Sequence, residues 1–265
     1  MGDTLNKIRT GSPKLPARIV LHGPGGVGKT SWAAQAPNPV FLLSPGETGL
    51  HTLMDSGLVG DLPSIEVQRW TEYTAALADL TEGQHDYQSL VVDTIDGVEK
   101  LANQFVCETQ FGADWGEKGF GGFQKGYDFV ANGPWRQMIA LLDKLRAAKR
   151  MRVILLAHTD VANFSNPEGP DYNRYVPALH KKAWGLTFGW ADMVLFAYRE
   201  VAVVKERGER KARGGGGSVR VMRTEWSASS DAKNRHNLPA EISLGESAGE
   251  AWSNFAQAFN HKKEA

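Results

Sequence analysis

The stretch Arg18-Ile-Val-Leu-His-Gly23-Pro-Gly-Gly-Val-Gly28-Lys29-Thr30-Ser31 decides the fold. Arg18 to Leu21 is a short apolar run of strand length, and the turn after it fits the pattern G-x-x-x-x-G-K-[ST] between a strand and a helix. Its glycines let successive backbone N–H groups turn inward as an anion nest, and the next helix adds its N-terminal dipole. The predicted phosphate-binding residues are Gly23, Pro24, Gly25, Gly26, Val27, Gly28, Lys29, Thr30 and Ser31. Lys29 is expected to reach the β and γ phosphates of a nucleotide, and Thr30 to ligate Mg²⁺.

Outward from this loop, apolar runs of strand length recur at Val40 to Leu43, Ile65 to Val67, Leu90 to Val92, Val153 to Ala157 and Met193 to Ala197. Helix-period segments lie between them at Thr71 to Leu80, Val98 to Gln110 and Trp135 to Ala148. Continuous apolar strands alternating with helices predict an α/β fold, a mostly parallel sheet covered by helices on both faces. Val201 to Val204 and Val219 to Arg223 read as a hairpin (about 199–235) around a Gly-rich turn, Lys205 to Ser218, with Gly214 to Gly217 its most flexible point. An amphipathic helix, about Ala248 to Phe259, closes the chain. The expected organisation is an arm over 1–16, a nucleotide-binding domain over 17–245, and a C-terminal helix and tail over 246–265.

The chain has 265 residues, 30 Lys+Arg and 30 Asp+Glu, and so no net charge. That excludes polybasic coating of a polyanion. A single cysteine, Cys107, excludes an internal disulfide and a cysteine-based zinc cluster and fits a reducing compartment. No apolar stretch approaches a membrane span or a signal-peptide core, so a cytosolic protein is expected.

A phosphate loop needs a second metal anchor, an acid at the end of a buried strand, and Leu90-Val91-Val92-Asp93 supplies it. Asp93 is followed by Thr94-Ile-Asp96 rather than the switch sequence of GTPases. AAA+ and ABC ATPases put their catalytic Glu directly after this Asp, where the present chain has Thr94. The water-activating base must come from elsewhere, and Glu47, after the second strand, fits; Asp96 is the reserve candidate. A parallel sheet aligns its strand ends, so Gly23, Glu47, Asp93 and His158 are expected on one rim.

On these residues the sequence resembles the RecA-like ATPases over most of 17–245. The resemblance implies ATP and Mg²⁺ as cofactors, Glu47 as base and His158 as sensor of the γ phosphate. It also implies that Lys233-Asn-Arg235 enters a neighbouring copy's site, with Arg235 as a trans arginine finger and Lys233 assisting it. In such folds single-stranded DNA is met by the loops after the Asp93 and His158 strands. The first holds Phe111, Trp115, Lys118, Phe120, Phe123, Lys125 and Tyr127, either a base-stacking platform or a buried aromatic cluster. The second, Val161 to Lys182, holds Arg174, Lys181 and Lys182 and is expected to be mobile.

From Arg199 to Arg235 ten Lys and Arg stand against five acids, a local surplus of five positive charges. This suits a nucleic acid or simply a solvated hairpin. The Gly-Pro-Gly-Gly-Val-Gly-Lys-Thr loop, the aromatic Gly-rich loop ending in Lys-Gly-Tyr and the terminal Lys-Asn-Arg are together similar to phage-encoded RecA-like single-strand annealing and recombination ATPases. That resemblance implies a DNA-annealing ATPase of the bacterial host cytoplasm, oligomeric as ring or filament, with a single-strand-binding protein as a further candidate partner. A ring motor or helicase subunit, a regulatory P-loop switch that binds protein, and a small-molecule kinase are the alternatives.

Overall fold

The computed structural model describes residues 8, 10, 11, 14–204 and 213–260; for 201–204 and 213–218 it describes backbone alone. The elements run β1 (Arg18–His22), α1 (Lys29–Ala33), β2 (Pro39–Leu43), α2 (Gly49–Asp55), β3 (Ser64–Glu66), α3 (Trp70–Glu82), β4 (Ser89–Asp93) and α4 (Ile95–Phe111). Then come α5 (Lys125–Val130), α6 (Arg136–Lys149), β5 (Arg152–Ala157), β6 (Thr159–Phe164), β7 (Tyr172–Pro177) and α7 (Lys181–Trp190). The chain continues with β8 (Met193–Val204), β9 (Arg213–Arg223), β10 (Lys233–Asn234), β11 (Glu241–Ser243) and α8 (Ala248–Asn260). Among the described residues no helix is long and apolar enough to cross a membrane.

The α/β class and the mostly parallel sheet are as expected. The main sheet has the order β11-β9-β8-β1-β5-β4-β2-β3. From β3 to β8 all neighbours are parallel, and antiparallel strands complete the β8 side. Strand β5 therefore lies between β1 and β4, in register with both: His22 pairs with Ala157 and Asp93 with Leu156. The central strands are buried on both faces because two hydrophobic layers flank them. Val20, Leu42, Val92 and Leu155 face Trp70, Leu77, Val98 and Leu142 of α3, α4 and α6. Ile19, Leu21, Phe41 and Leu156 face the other layer, with Trp32 of α1 and Phe255 of α8.

Two expectations are corrected. Lys205 to Ser218 is not wholly a turn: residues 213–218 already belong to β9, and Gly214 to Gly216 pair with Val203 to Val201, since glycine offers the same ladder N–H and C=O as any residue. Lys205 to 212, including Lys205, Arg207, Arg210 and Lys211 of the basic run, lie outside the described residues. Val161 to Lys182 is not a mobile loop but the β6–β7 hairpin, paired from Thr159↔Pro177 to Phe164↔Tyr172, followed by the start of α7. Of the expected arm, Lys14 and Pro16 accept hydrogen bonds on their carbonyls from Arg150 and Arg146 at the end of α6; residues 1–7, 9, 12 and 13 lie outside the described residues.

Candidate nucleotide site

The sequence places the turn between β1 and α1 under two steric demands that only glycine meets. Gly28 has φ 102°, in the left-handed region, and a Cβ on Gly23 would stand 2.3 Å from the Ala197 carbonyl oxygen. The loop thus lies flat against β8 and leads straight into α1. Next to it opens a cavity of about 330 Å³, lined by Gly25, Gly26, Gly28, Lys29 and Thr30 as well as Glu47, Asp93, Thr94 and His158. The C-terminal ends of β1, β2, β4 and β5 bring these groups to one rim.

Thr30 donates its hydroxyl hydrogen to Oδ2 of Asp93 at 2.8 Å. This hydroxyl and carboxylate side by side are the hard oxygen donors a Mg²⁺ ion takes, so the pair fits that metal. Lys29 is folded back on the loop and donates to the carbonyls of Gly23 (2.8 Å) and Pro24 (3.2 Å). Burial lowers its pKa, opposed by the charges of Asp93, Asp96 and Glu47. Burial also raises Asp93 to about 6, against the hydrogen bond from Thr30.

Glu47 and His158 face the same cavity from β2 and β5. Thr94 Oγ1 donates to Glu47 Oε1 at 3.2 Å and accepts from Gly97 N, so the N-cap of α4 orients the acid. His158 Nδ1 lies 2.9 Å from Oδ2 of Asp96 and 4.0 Å from Oε1 of Glu47, and its backbone N–H donates to the other oxygen of Asp96. The hydrogen bond to Asp96 raises the His158 pKa more than partial burial lowers it. In Asp96, burial pulls the pKa up, but the hydrogen bonds from His158 prevail and bring it below the usual carboxylate range. Asp96 is thus the partner of His158 and is not among the residues that line the phosphate cavity. The supporting set Ser44, Thr94 and Gly97 was not singled out from sequence; the only signal was that Thr94-Ile-Asp-Gly97 reads as a helix cap.

The remaining candidates lie elsewhere. Arg235 donates to the Gly189 carbonyl and its backbone N–H to the Asp192 carbonyl; Lys233 donates to the carbonyls of Phe188 and Gly189. Both thus cap the C-terminal end of α7, away from their own chain's phosphate loop. In the aromatic loop the platform expectation is corrected in part. Phe120 is 1% exposed, enclosed by Phe111, Trp115 and Tyr127, so no base can stack on it. Tyr127 is half-buried and stacks on His180 with 4.0 Å between ring centres. Phe123 (94% exposed), Trp115, Lys118 and Lys125 remain on the surface. Arg174 is corrected as a DNA contact: it is buried, paired with Asp231 at 2.8 Å, and held between the rings of Phe164 and Trp226. Lys182 is half-buried and paired with Asp128, while Lys181 is exposed.

Residues 15–236 match the family described as AAA domain. The SPbeta prophage-derived uncharacterized protein YorG of Bacillus subtilis (strain 168) is 26% identical over 94 residues, 34% of this chain; the match spans 27% of that relative's length. Among solved structures, the RadB recombinase aligns over 88% of this chain and 89% of its own, at 11% identity and TM-score 0.47. The flagellar accessory protein FlaH from Methanocaldococcus jannaschii aligns over 91% and 90%, at 14% identity and TM-score 0.40. With the family match covering most of its length around a complete phosphate loop, the chain belongs to the AAA domain family.

Proposed function

We propose that this protein is a Mg²⁺-dependent ATPase that binds single-stranded DNA and promotes annealing or homologous recombination, acting as a homo-oligomer in the cytoplasm of a bacterial host. The observation that carries the reading is the convergence of Lys29, Thr30, Asp93, Glu47 and His158 on one cavity. In this reading Lys29 exchanges the carbonyls of Gly23 and Pro24 for β and γ phosphate oxygens, and Thr30 and Asp93 hold Mg²⁺. The metal, when bound, neutralises phosphate charge. Glu47, steadied by Thr94, accepts a proton from the attacking water, and His158, steadied by Asp96, donates toward the γ phosphate. Residues 17–245 form the ATPase domain, with the C-terminal helix appended.

The DNA half rests on the exposed Trp115, Phe123, Lys118, Lys125 and Lys181, which offer π faces and cations without a deep groove. Fluorescence anisotropy of a labelled oligonucleotide at low salt, with and without ATP, tests it together with an annealing assay. Binding that strengthens with ATP, and annealing without strand displacement, is the expected result. Strand displacement would point instead to a ring motor. The burial of Phe120 and Arg174 leaves fewer groups for DNA and favours, as second reading, a P-loop switch that binds protein; failure of the oligonucleotide to bind in either nucleotide state would support it.

A further inference from the structure

Lys181, Trp184, Gly185 and Phe188 stand three and four apart along α7, so they share one face of that helix. Together with Trp226 and Asp231, which precede β10, they line a groove of about 370 Å³ that has no lining residue in common with the phosphate cavity. Trp184 and Phe188 meet edge to face, with 5.5 Å between ring centres. Trp226 is 59% exposed, and a Cβ on Gly185 would meet nothing within 4 Å, so the helix is bare where the rings gather. Aromatic surface collected around one opening marks an interaction site.

The polar groups of the groove select its occupant. Asp231 has both oxygens engaged, one with Arg174 at 2.8 Å and the other with Trp184 Nε1 at 2.9 Å, and Arg174 offsets its charge. Two cations remain beside the rings: Lys181 is exposed at the start of α7, and Lys233 Nζ stands 4.9 Å from the ring centre of Phe188. Lys181 and Phe188 are two helical turns apart, roughly 10 Å along the axis. A nucleobase needs hydrogen-bond partners around its edge, and Trp184 and Asp231 already use theirs on each other and on Arg174. A Leu or Phe side chain needs none, and carboxylates flanking it would meet the two lysines.

We propose that this groove docks an acidic segment of a partner protein, which inserts a bulky apolar side chain among Trp184, Phe188 and Trp226 and sets its carboxylates at Lys181 and Lys233. The contact is small, so it is of the weak, exchangeable kind, and the two tryptophans carry most of it. It shares no residue with the nucleotide site and holds whether or not that site hydrolyses ATP.

Fluorescence anisotropy of the full chain without nucleotide tests this, with the labelled peptide Asp-Glu-Leu-Phe-Glu-Asp as probe and Lys-Lys-Leu-Phe-Lys-Lys and Asp-Glu-Ser-Gly-Glu-Asp as controls. The acidic apolar peptide is expected to bind saturably, and each control roughly tenfold more weakly or worse. Trp226→Ala and Gly185→Glu are each expected to weaken the probe roughly tenfold or more. Gly185→Glu places bulk and a like charge in the groove where nothing stands within 4 Å, and exchanges glycine for a better helix former, so its thermal midpoint is expected to stay at or above that of the wild type. No saturable binding of the probe up to about 1 mM, equal binding of Asp-Glu-Ser-Gly-Glu-Asp, or full affinity in the folded Gly185→Glu variant overturns the proposal. A labelled oligo-dT that loses affinity in both variants while the peptide does not would assign the groove to nucleic acid and overturn it as well.

Discussion

Thr94 Oγ1 donates to Oε1 of Glu47 across 3.2 Å, so the residue directly after Asp93 positions the acid instead of being it. The geometry is built from both ends. Thr94 N donates to Ser44 Oγ at 3.0 Å, and Ser44 lies three residues before Glu47, so the strand ends of β2 and β4 are tied together at the acid.

From this follows a split between two variants. Glu47→Gln is expected to bind ATP normally and to hydrolyse it roughly 100-fold more slowly or worse, because an amide cannot take the proton of water. Thr94→Val keeps the carboxylate but loses its donor, and is expected to lower kcat about tenfold with ATP affinity unchanged. Steady-state kinetics and calorimetry read both; full hydrolysis by Glu47→Gln refutes the assignment of the base.

The contrast between these residues shows what was legible in the chain. The phosphate loop, Asp93 and Glu47 could be read because each sits at the end of a strand whose apolar run is visible, and a parallel sheet aligns those ends. The contacts of Thr94 with Ser44 and Glu47 could not, since they join segments about 50 residues apart. The aromatic loop failed for a related reason: Phe120 and Phe123 stand three residues apart with similar glycine neighbours, and only tertiary packing buries one and exposes the other. Arg174 looked like a free cation because Asp231, its partner, is 57 positions away. The β6–β7 hairpin was hidden because its strands are half exposed and carry Asn, Asp, Arg and Pro between their apolar residues.

The same pair of phenylalanines gives the second prediction. Phe120→Ala removes a fully buried ring from the α4–α5 cluster and is expected to cost about 3–5 kcal/mol of stability. Phe123→Ala is expected to change stability by less than about 0.5 kcal/mol and to weaken oligonucleotide binding roughly tenfold, since base stacking on an aromatic ring is worth about 1–3 kcal/mol. Denaturant titration and anisotropy separate the two effects. Equal oligonucleotide affinity of Phe123→Ala and the wild type removes Phe123 from the DNA surface.

His22, the last residue of β1, supplies a pH dependence. Burial pushes its pKa down to about 4, and both ring nitrogens are engaged, one 2.9 Å from Thr159 Oγ1 and the other 2.8 Å from the Asp231 carbonyl. Unfolded, the same imidazole takes a proton near pH 6.5. The folded chain therefore rejects a proton that the unfolded chain binds, so stability is full above about pH 6.5 and falls as the pH drops toward 4, by about 3 kcal/mol over the whole window. His22→Gln is expected to be less stable at pH 7 yet to lose less on acidification. Urea unfolding of both proteins at pH 7.5 and pH 5 checks this, and parallel acid losses would contradict it.

Arg235 gives the last prediction, through where it stands. Its guanidinium approaches Asp192 at 3.9 Å, and Asp192 holds Arg18, the first residue of β1. The phosphate loop leaves the other end of that five-residue strand, roughly 15 Å away. Arg235 is thus turned from its own nucleotide and, if it stabilises phosphate charge at all, must do so on a second copy. Its side chain is half exposed, so Arg235→Ala is expected to cost less than about 1 kcal/mol of stability while abolishing ATPase. Mixed with Glu47→Gln, which keeps Arg235, it regains an intact base facing an intact arginine at some interfaces. ATPase measured across mixing ratios is expected to rise from near zero to a maximum at intermediate composition. Inactivity at every ratio, or full activity of Arg235→Ala alone, rules out action across an interface.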